Sequence, residues 1–275
     1  MAGPTAHGCG TMPRMPTLSI LVLFAVLLML EEHQRGLTLA PPGWRRLAVN
    51  WGLGLINIAL AATVPVSALL AAVHAEGGPL SGWSALAAFL PLLLARSFVA
   101  YWLHRLFHAV PLLWRVHRVH HADAAIDTST GLRNHPFEVL TAAAGAAGIV
   151  ALLGPSPAAV VAVDAVLFGA ALWQHAAIRL PAALAGPAEW LFVTPRSHLI
   201  HHSQLRQEHD RNFGDLLSVW DRLFGTWSTP QAPPGCIGVT GGSPPNSLIG
   251  QLLSPFRGEA QAAANASPGA GSTSA

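Results

Sequence analysis

His104-Arg-Leu-Phe-His108, His117-Arg-Val-His120-His121 and His198-Leu-Ile-His201-His202 concentrate eight imidazoles in three short segments. Histidines at i, i+3 and i+4 share one face of a helix, so an HxxxH and two HxxHH patterns each aim all their rings into one volume. Imidazole is the commonest metal ligand in proteins. Eight of them, with neither cysteine nor paired carboxylates nearby, exceed what one ion of about four to six coordination uses. The pattern predicts a dinuclear metal site. A single histidine on an apolar helix is more often a satisfied core residue, but ten of the fourteen histidines here lie between positions 104 and 202. Burying so many without metal would leave many ring nitrogens without partners.

Two further histidines lie where they could complete a coordination sphere: His135 in Arg133-Asn-His135-Pro136 and His175 in Gln174-His175. Asp123 and Asp127 follow the second cluster and are candidates for orienting imidazole N–H groups. His33, His74 and His209 fall outside every cluster and are expected to be bystanders.

The elements that must position these residues are apolar. Hydrophobic residues make up 52% of the 275 and charged residues 10%, and the mean hydropathy is +0.44, a composition suited to a bilayer. A net charge of +2 with scattered arginines gives no nucleic-acid stripe. Cys9 and Cys236 are too isolated for a disulfide framework or a zinc knuckle. Residues 17–30 read as a short first membrane helix, 47–73 as a second span kinked at Pro65, and 83–103 as a third running into His104. Pro111 is placed to start a new helix, which puts the first two clusters on adjacent helices across a sharp bend. Residues 139–153 and 158–173, joined by Gly154-Pro-Ser-Pro157, read as a tight hairpin of arms too short to span, entering and returning on one side.

Arg35, Arg45 and Arg46 lie between the first two apolar segments, whereas Glu76 is the only charge between the second and third. The positive-inside rule then places the first loop, and all the histidine clusters, on the cytoplasmic face. Beyond residue 228 the chain is rich in Pro, Gly, Ser and Ala and reads as a disordered tail. The expected architecture is an all-α, multi-pass integral-membrane bundle with a cytoplasmic-face dimetal site. Its parts are N-terminal membrane helices over 1–82, a catalytic domain over 83–228 and the tail over 229–275.

The segments HRLFH, LWRVHRVHH, RNHP, QH, TPRSHLIHH, Asn212-Phe-Gly214 and Trp220-Asp-Arg-Leu-Phe-Gly-Thr226 together resemble the fatty acid hydroxylase/sterol desaturase superfamily of integral-membrane diiron oxygenases. The likeness covers about residues 83 to 227. It implies a non-haem centre of two iron ions, O₂ as oxidant, reducing equivalents from a separate carrier, and hydroxylation or desaturation of a lipid such as a sterol or fatty-acyl chain. Carried over position by position, it makes His104, His108, His117, His120, His121, His198, His201 and His202 metal ligands and adds His175 and His135. The chain departs from the family at two places: Ser97 stands where an acid is common, and Ala177 where an asparagine is common in Gln-His-x-Asn. Both departures remove polar support near the site.

Unactivated C–H bonds lie beyond side-chain acid–base catalysis, so the oxidant must come from metal and oxygen, and imidazole suits iron. The alternative is a membrane metal-binding or transport protein without oxygenase activity. A transporter would place its ligands near the bilayer midplane in repeated halves, whereas these histidines sit at helix ends and the apolar segments do not repeat. No fused cytochrome or ferredoxin pattern is present, so a separate electron-donor protein is expected.

Overall fold

Prolines and caps set where the helices begin. The computed structural model describes residues 15–34, 43–63, 77–229, 235–240 and 247–257. Helix α1 spans Met15–His33 and α2 Trp44–Thr63. The remainder of the expected second span, including Pro65, lies outside the described residues. Helix α3, Ala85–Ala109, is opened by Ser84, whose hydroxyl accepts the Ala87 N–H, and it carries the first cluster at its C-terminal end. Val110 is extended and Pro111 starts α4, Pro111–His121, so the bend expected between the first two clusters is present.

A 3₁₀ turn, Thr128–Leu132, follows, and then α5, Pro136–Leu153, and α6, Pro157–His175. His135 and Ser156 cap these two helices with proline at the first turn of each, and Gly154 closes α5 at φ 64°, a left-handed cap that glycine adopts without strain. These caps lengthen both arms beyond the hairpin read from the sequence. At 18 and 19 residues the arms are about 27 and 28 Å long, so each is long enough to cross hydrocarbon. Helices α3, α5 and α6 are the three described helices apolar and long enough to span a membrane. They share one apolar core that includes Leu92, Leu93, Val150, Val160 and Val163.

Short helices follow: α7 Ala182–Leu191, α8 Pro195–His201, α9 Arg206–His209 and α10 Val219–Leu223. Thr194 and Ser197 form a reciprocal capping box at the start of α8 and so fix the third cluster. Among the described residues β structure is limited to two isolated bridges. The described part of the chain is all-helical, with three helices apolar and long enough to cross a membrane.

The stretch read as a disordered tail is ordered in part. Residues 235–240 are described, and α11, Leu248–Leu253, packs Leu248 and Leu252 against Val49, Leu53 and Val119. Its leucines give it a local apolar face that the average composition of the tail conceals. Residues 229, 247 and 254–257 are described as well, and the other tail residues lie outside the described set.

Candidate metal centre

The ends of α3, α4, α6 and α8 meet, and their imidazoles form two adjacent groups. His104, His108, His117, His121 and His201 make one, and His120, His175, His198 and His202 the other, with the ligand atoms of each group within 4.8 Å of one another. The groups abut. His121 stacks on His202 at 4.5 Å between ring centres, and His198 on His201 at 5.2 Å. Of the ten histidines singled out in the sequence, nine are therefore gathered here.

Hydrogen bonds assign the tautomers. His104 Nδ1 lies 2.8 Å from the Phe213 carbonyl and His117 Nδ1 2.9 Å from Glu138 Oε1. His120 Nδ1 faces the Arg133 carbonyl at 3.3 Å, His175 Nδ1 the Ala171 carbonyl at 2.6 Å and His201 Nδ1 the Arg211 carbonyl at 2.7 Å. His108 Nδ1 faces Asp210 Oδ1 at 3.3 Å. These partners only accept, so each Nδ1 carries the hydrogen and each Nε2 presents a lone pair. The Nε2 atoms nevertheless point at one another. His104 and His121 each approach His117 at 3.1 Å, and His120 approaches His175 at 3.1 Å. In the same way His175, His198 and His202 lie 3.0–3.2 Å apart. Converging lone pairs repel unless a cation lies between them. Nitrogens about 2.1 Å from one ion and at right angles to each other sit about 3.0 Å apart. The donor set thus fits two metal ions.

Burial, followed by the neighbouring imidazoles, pushes His120, His121, His198 and His202 well below the ordinary value of 6.5. His201 is pushed down by the same causes. All five are therefore neutral at neutral pH, the form that binds metal.

The loops that hold these rings explain the remaining motifs. Asp221 accepts the Phe213 and Gly214 N–H groups at 2.8 Å each and the Thr226 hydroxyl at 2.7 Å, which fixes the loop whose carbonyl holds His104. A Cβ at Gly214 would lie 2.5 Å from the Leu217 carbonyl oxygen, so that position must be glycine. Asn212, at φ 53°, donates to the Ser197 and Ser228 carbonyls and ties the same loop to α8. Tyr101 and Thr226 pair through their hydroxyls at 2.9 Å, and the Trp220 indole donates to Ser97.

Several residues singled out in the sequence take other places in the structure. His135 joins neither group: its Nδ1 accepts the Phe137 N–H at the start of α5, and its Nε2 lies 3.1 Å from the Leu252 carbonyl. Both ring nitrogens are thus used in holding helix ends. Asp123 and Asp127 bind Arg46 at 2.6 and 2.7 Å and touch no imidazole; Asn50, Ser129 and Thr130 complete that network. The carboxylates facing imidazoles are instead Glu138 and Asp210, with Asp215 at 4.0 Å from His104 Nδ1. Glu138 stands three residues after His135, and Asp210 lies beyond the third cluster, so only the fold brings them in. His209, expected to be a bystander, lies beside Asp210 and His108 with its ring centre 5.0 Å from that of His108. His33 is exposed, and His74 lies outside the described residues.

A family model for fatty acid hydroxylases matches residues 89–226. The chain is 31% identical over 147 residues to a human alkylglycerol monooxygenase, covering 54% of this chain and 31% of that protein. It is 32% identical over 165 residues to an ornithine lipid hydroxylase of Rhizobium tropici, covering 60% and 49%. A very-long-chain aldehyde decarbonylase of Oryza sativa subsp. indica is 30% identical over 139 residues, covering 47% and 21%. The chain therefore spans about a third to a half of the length of the first two relatives. No solved structure matches it significantly.

Proposed function

The chain belongs to the fatty acid hydroxylase family, and from that premise we propose that it is a membrane-bound oxygenase holding two iron ions and hydroxylating a lipid with O₂. The observation that carries this reading is the two pairs of facing Nε2 lone pairs, His104 against His117 and His120 against His175, which a cation bound between them reconciles. The names of the relatives, an alkylglycerol monooxygenase and an ornithine lipid hydroxylase, favour hydroxylation over desaturation. We take residues 83–228 as the catalytic domain and 1–82 as N-terminal membrane helices.

His104, His108, His117, His121 and His201 would hold one ion, and His120, His175, His198 and His202 the other. When bound, the metal pair supplies the redox chemistry that makes O₂ able to break an unactivated C–H bond. The net reaction converts R–H, O₂, two electrons and two protons to R–OH and water, so a separate electron-donor protein must deliver the electrons. The protein's own groups prepare the site. Backbone carbonyls of Phe213, Arg133, Ala171 and Arg211 lock the ring tautomers and aim Nε2 inward. Burial of His121, His201 and His202 at 0% exposure excludes the water that would quench a reactive centre. The first cluster ends α3 and His175 ends α6, both apolar spanning helices, so a lipid chain reaches the site without leaving hydrocarbon. On the positive-inside reading, carried by Arg35, Arg45 and Arg46, this end faces the cytoplasm.

The test is a mass comparison of lipid extracts from cells with and without the chain. A species heavier by one oxygen is expected. A species lighter by two hydrogens would replace hydroxylation with desaturation, and identical extracts would contradict the oxygenase reading.

A further inference from the structure

We propose that Glu31, at the C-terminal end of α1, is a positioning residue for the four-histidine group; the proposal rests on the metal-centre reading above. Glu31 lies well outside the stretch shared with the family, residues 89–226. Its Oε1 accepts two backbone N–H groups at 2.7 Å each, those of Thr128 and Ala177. The two amides belong to segments that flank His175. Thr128 opens the 3₁₀ turn, and a Cβ built on Gly131 in that turn would stand 3.4 Å from His175 Nδ1 and 3.0 Å from the Ala171 carbonyl oxygen, the acceptor of the His175 ring. Ala177 lies in the turn that ends α6, two residues past His175.

Neither amide is bonded to a carbonyl of its own helix. The Thr128 N–H is a first-turn donor without an intrahelical acceptor, and the Ala177 N–H follows Ala176, whose extended backbone carries the chain out of α6. One carboxylate oxygen serves both, in charge-assisted bonds stronger than those between neutral groups. Ala176 and Ala177 have no side chain able to hold the turn themselves. The seat of α1 keeps Glu31 in register: Leu27 is buried with Leu132, Leu172 and Ala176, and Gln34 accepts the Arg179 N–H at 2.8 Å. Glu31 therefore clamps the two backbone segments between which the His175 ring is aimed, and it supplies from another helix the polar support that Ala177 lacks.

The experiment titrates metal-free full-length protein in detergent with Zn²⁺, and in parallel with Co²⁺ to record its visible spectrum. It compares wild type, Glu31→Ala, Glu31→Gln, Glu31→Asp and the exposed neighbour variant Glu32→Ala. Glu31→Ala should weaken one of the two binding steps about 10- to 100-fold, leave the other unchanged and alter the spectrum of the weakened step alone. Glu31→Gln, which keeps the acceptor oxygen, should restore most of the affinity, and Glu32→Ala should match wild type. Glu31→Asp draws the carboxylate back by about one bond length of 1.5 Å and should show the same selective loss in smaller measure, so the comparison survives if the alanine variant does not fold. Wild-type affinity at both steps in Glu31→Ala and Glu31→Asp would overturn the proposal. A uniform loss at both steps together with a lowered melting temperature would overturn it too, because that is the signature of a general structural role. A wild-type chain that binds fewer than two ions would instead overturn the metal-centre reading, and this proposal with it.

Discussion

His121 and His135 show what a histidine's neighbours decide. His121 is fully buried with Nε2 3.1 Å from that of His117, whereas His135 uses both nitrogens on helix ends. His121→Ala and His202→Ala should abolish turnover and lower metal content. His135→Ala should keep two metals per chain while freeing residues 247–257 to proteolysis, an outcome read by metal analysis and limited digestion; loss of a metal in His135→Ala would return it to the coordination sphere. The capping role is legible in the sequence, because a residue before proline at a helix start is an N-cap position. The carboxylate partners are not. Asp123 and Asp127 are near the second cluster along the chain, but proximity in space belongs to Glu138, Asp210 and Asp215, and the aspartate pair serves Arg46. Burial also gives the metal-free protein a pH dependence. His120, His121, His198, His201 and His202 resist protonation when folded but accept protons near 6.5 when unfolded. The unfolded state then binds more protons below that pH, so stability falls as pH drops, by up to about 1.4 kcal/mol per pH unit for each such histidine. Melting of chelator-treated protein should fall steeply from pH 7 to 5, and a flat profile would contradict the buried neutral cluster.

At the scale of elements, periodicity makes the clusters legible, since i, i+3 and i+4 spacing needs only a helix. The irregular loops are not legible in the same way. That the Phe213 and Arg211 carbonyls hold His104 and His201 follows from backbone turns that no side-chain pattern encodes. The hairpin arms exceed their apolar runs because those runs stop short of Pro136 and His175, the residues at which α5 begins and α6 ends. Between α3 and α6 lies an ion pair that such runs do not anticipate, Arg96 to Asp164 at 2.8 Å. Charges inside a spanning helix are costly unless paired, and removing one partner leaves the other stranded. Arg96→Leu or Asp164→Leu alone should therefore lower the melting temperature in detergent more than the double replacement does. A double variant no more stable than the worse single one would show that the pair contributes nothing by being matched.

For the whole molecule, composition is enough to read a helical membrane protein, and the short motifs are enough to read the family, because both depend on residue type and order. Composition misleads only where it is averaged over the tail, hiding the leucines that dock α11 on α2. Sidedness is a whole-molecule property and is open to direct test: reporters fused after Arg45 and after Thr229 should both read cytoplasmic, and one near Gly78 external. Opposite sides for the first two would require an odd number of crossings between them and contradict the returning hairpin. The central claim, a centre of two metals held by nine imidazoles, is tested most directly by metal stoichiometry in full-length protein purified under reducing, iron-replete conditions. Two equivalents of metal per chain are expected, with zinc able to stand in for iron because it binds such sites more tightly. Saturation at one equivalent, or none, would contradict the dinuclear centre.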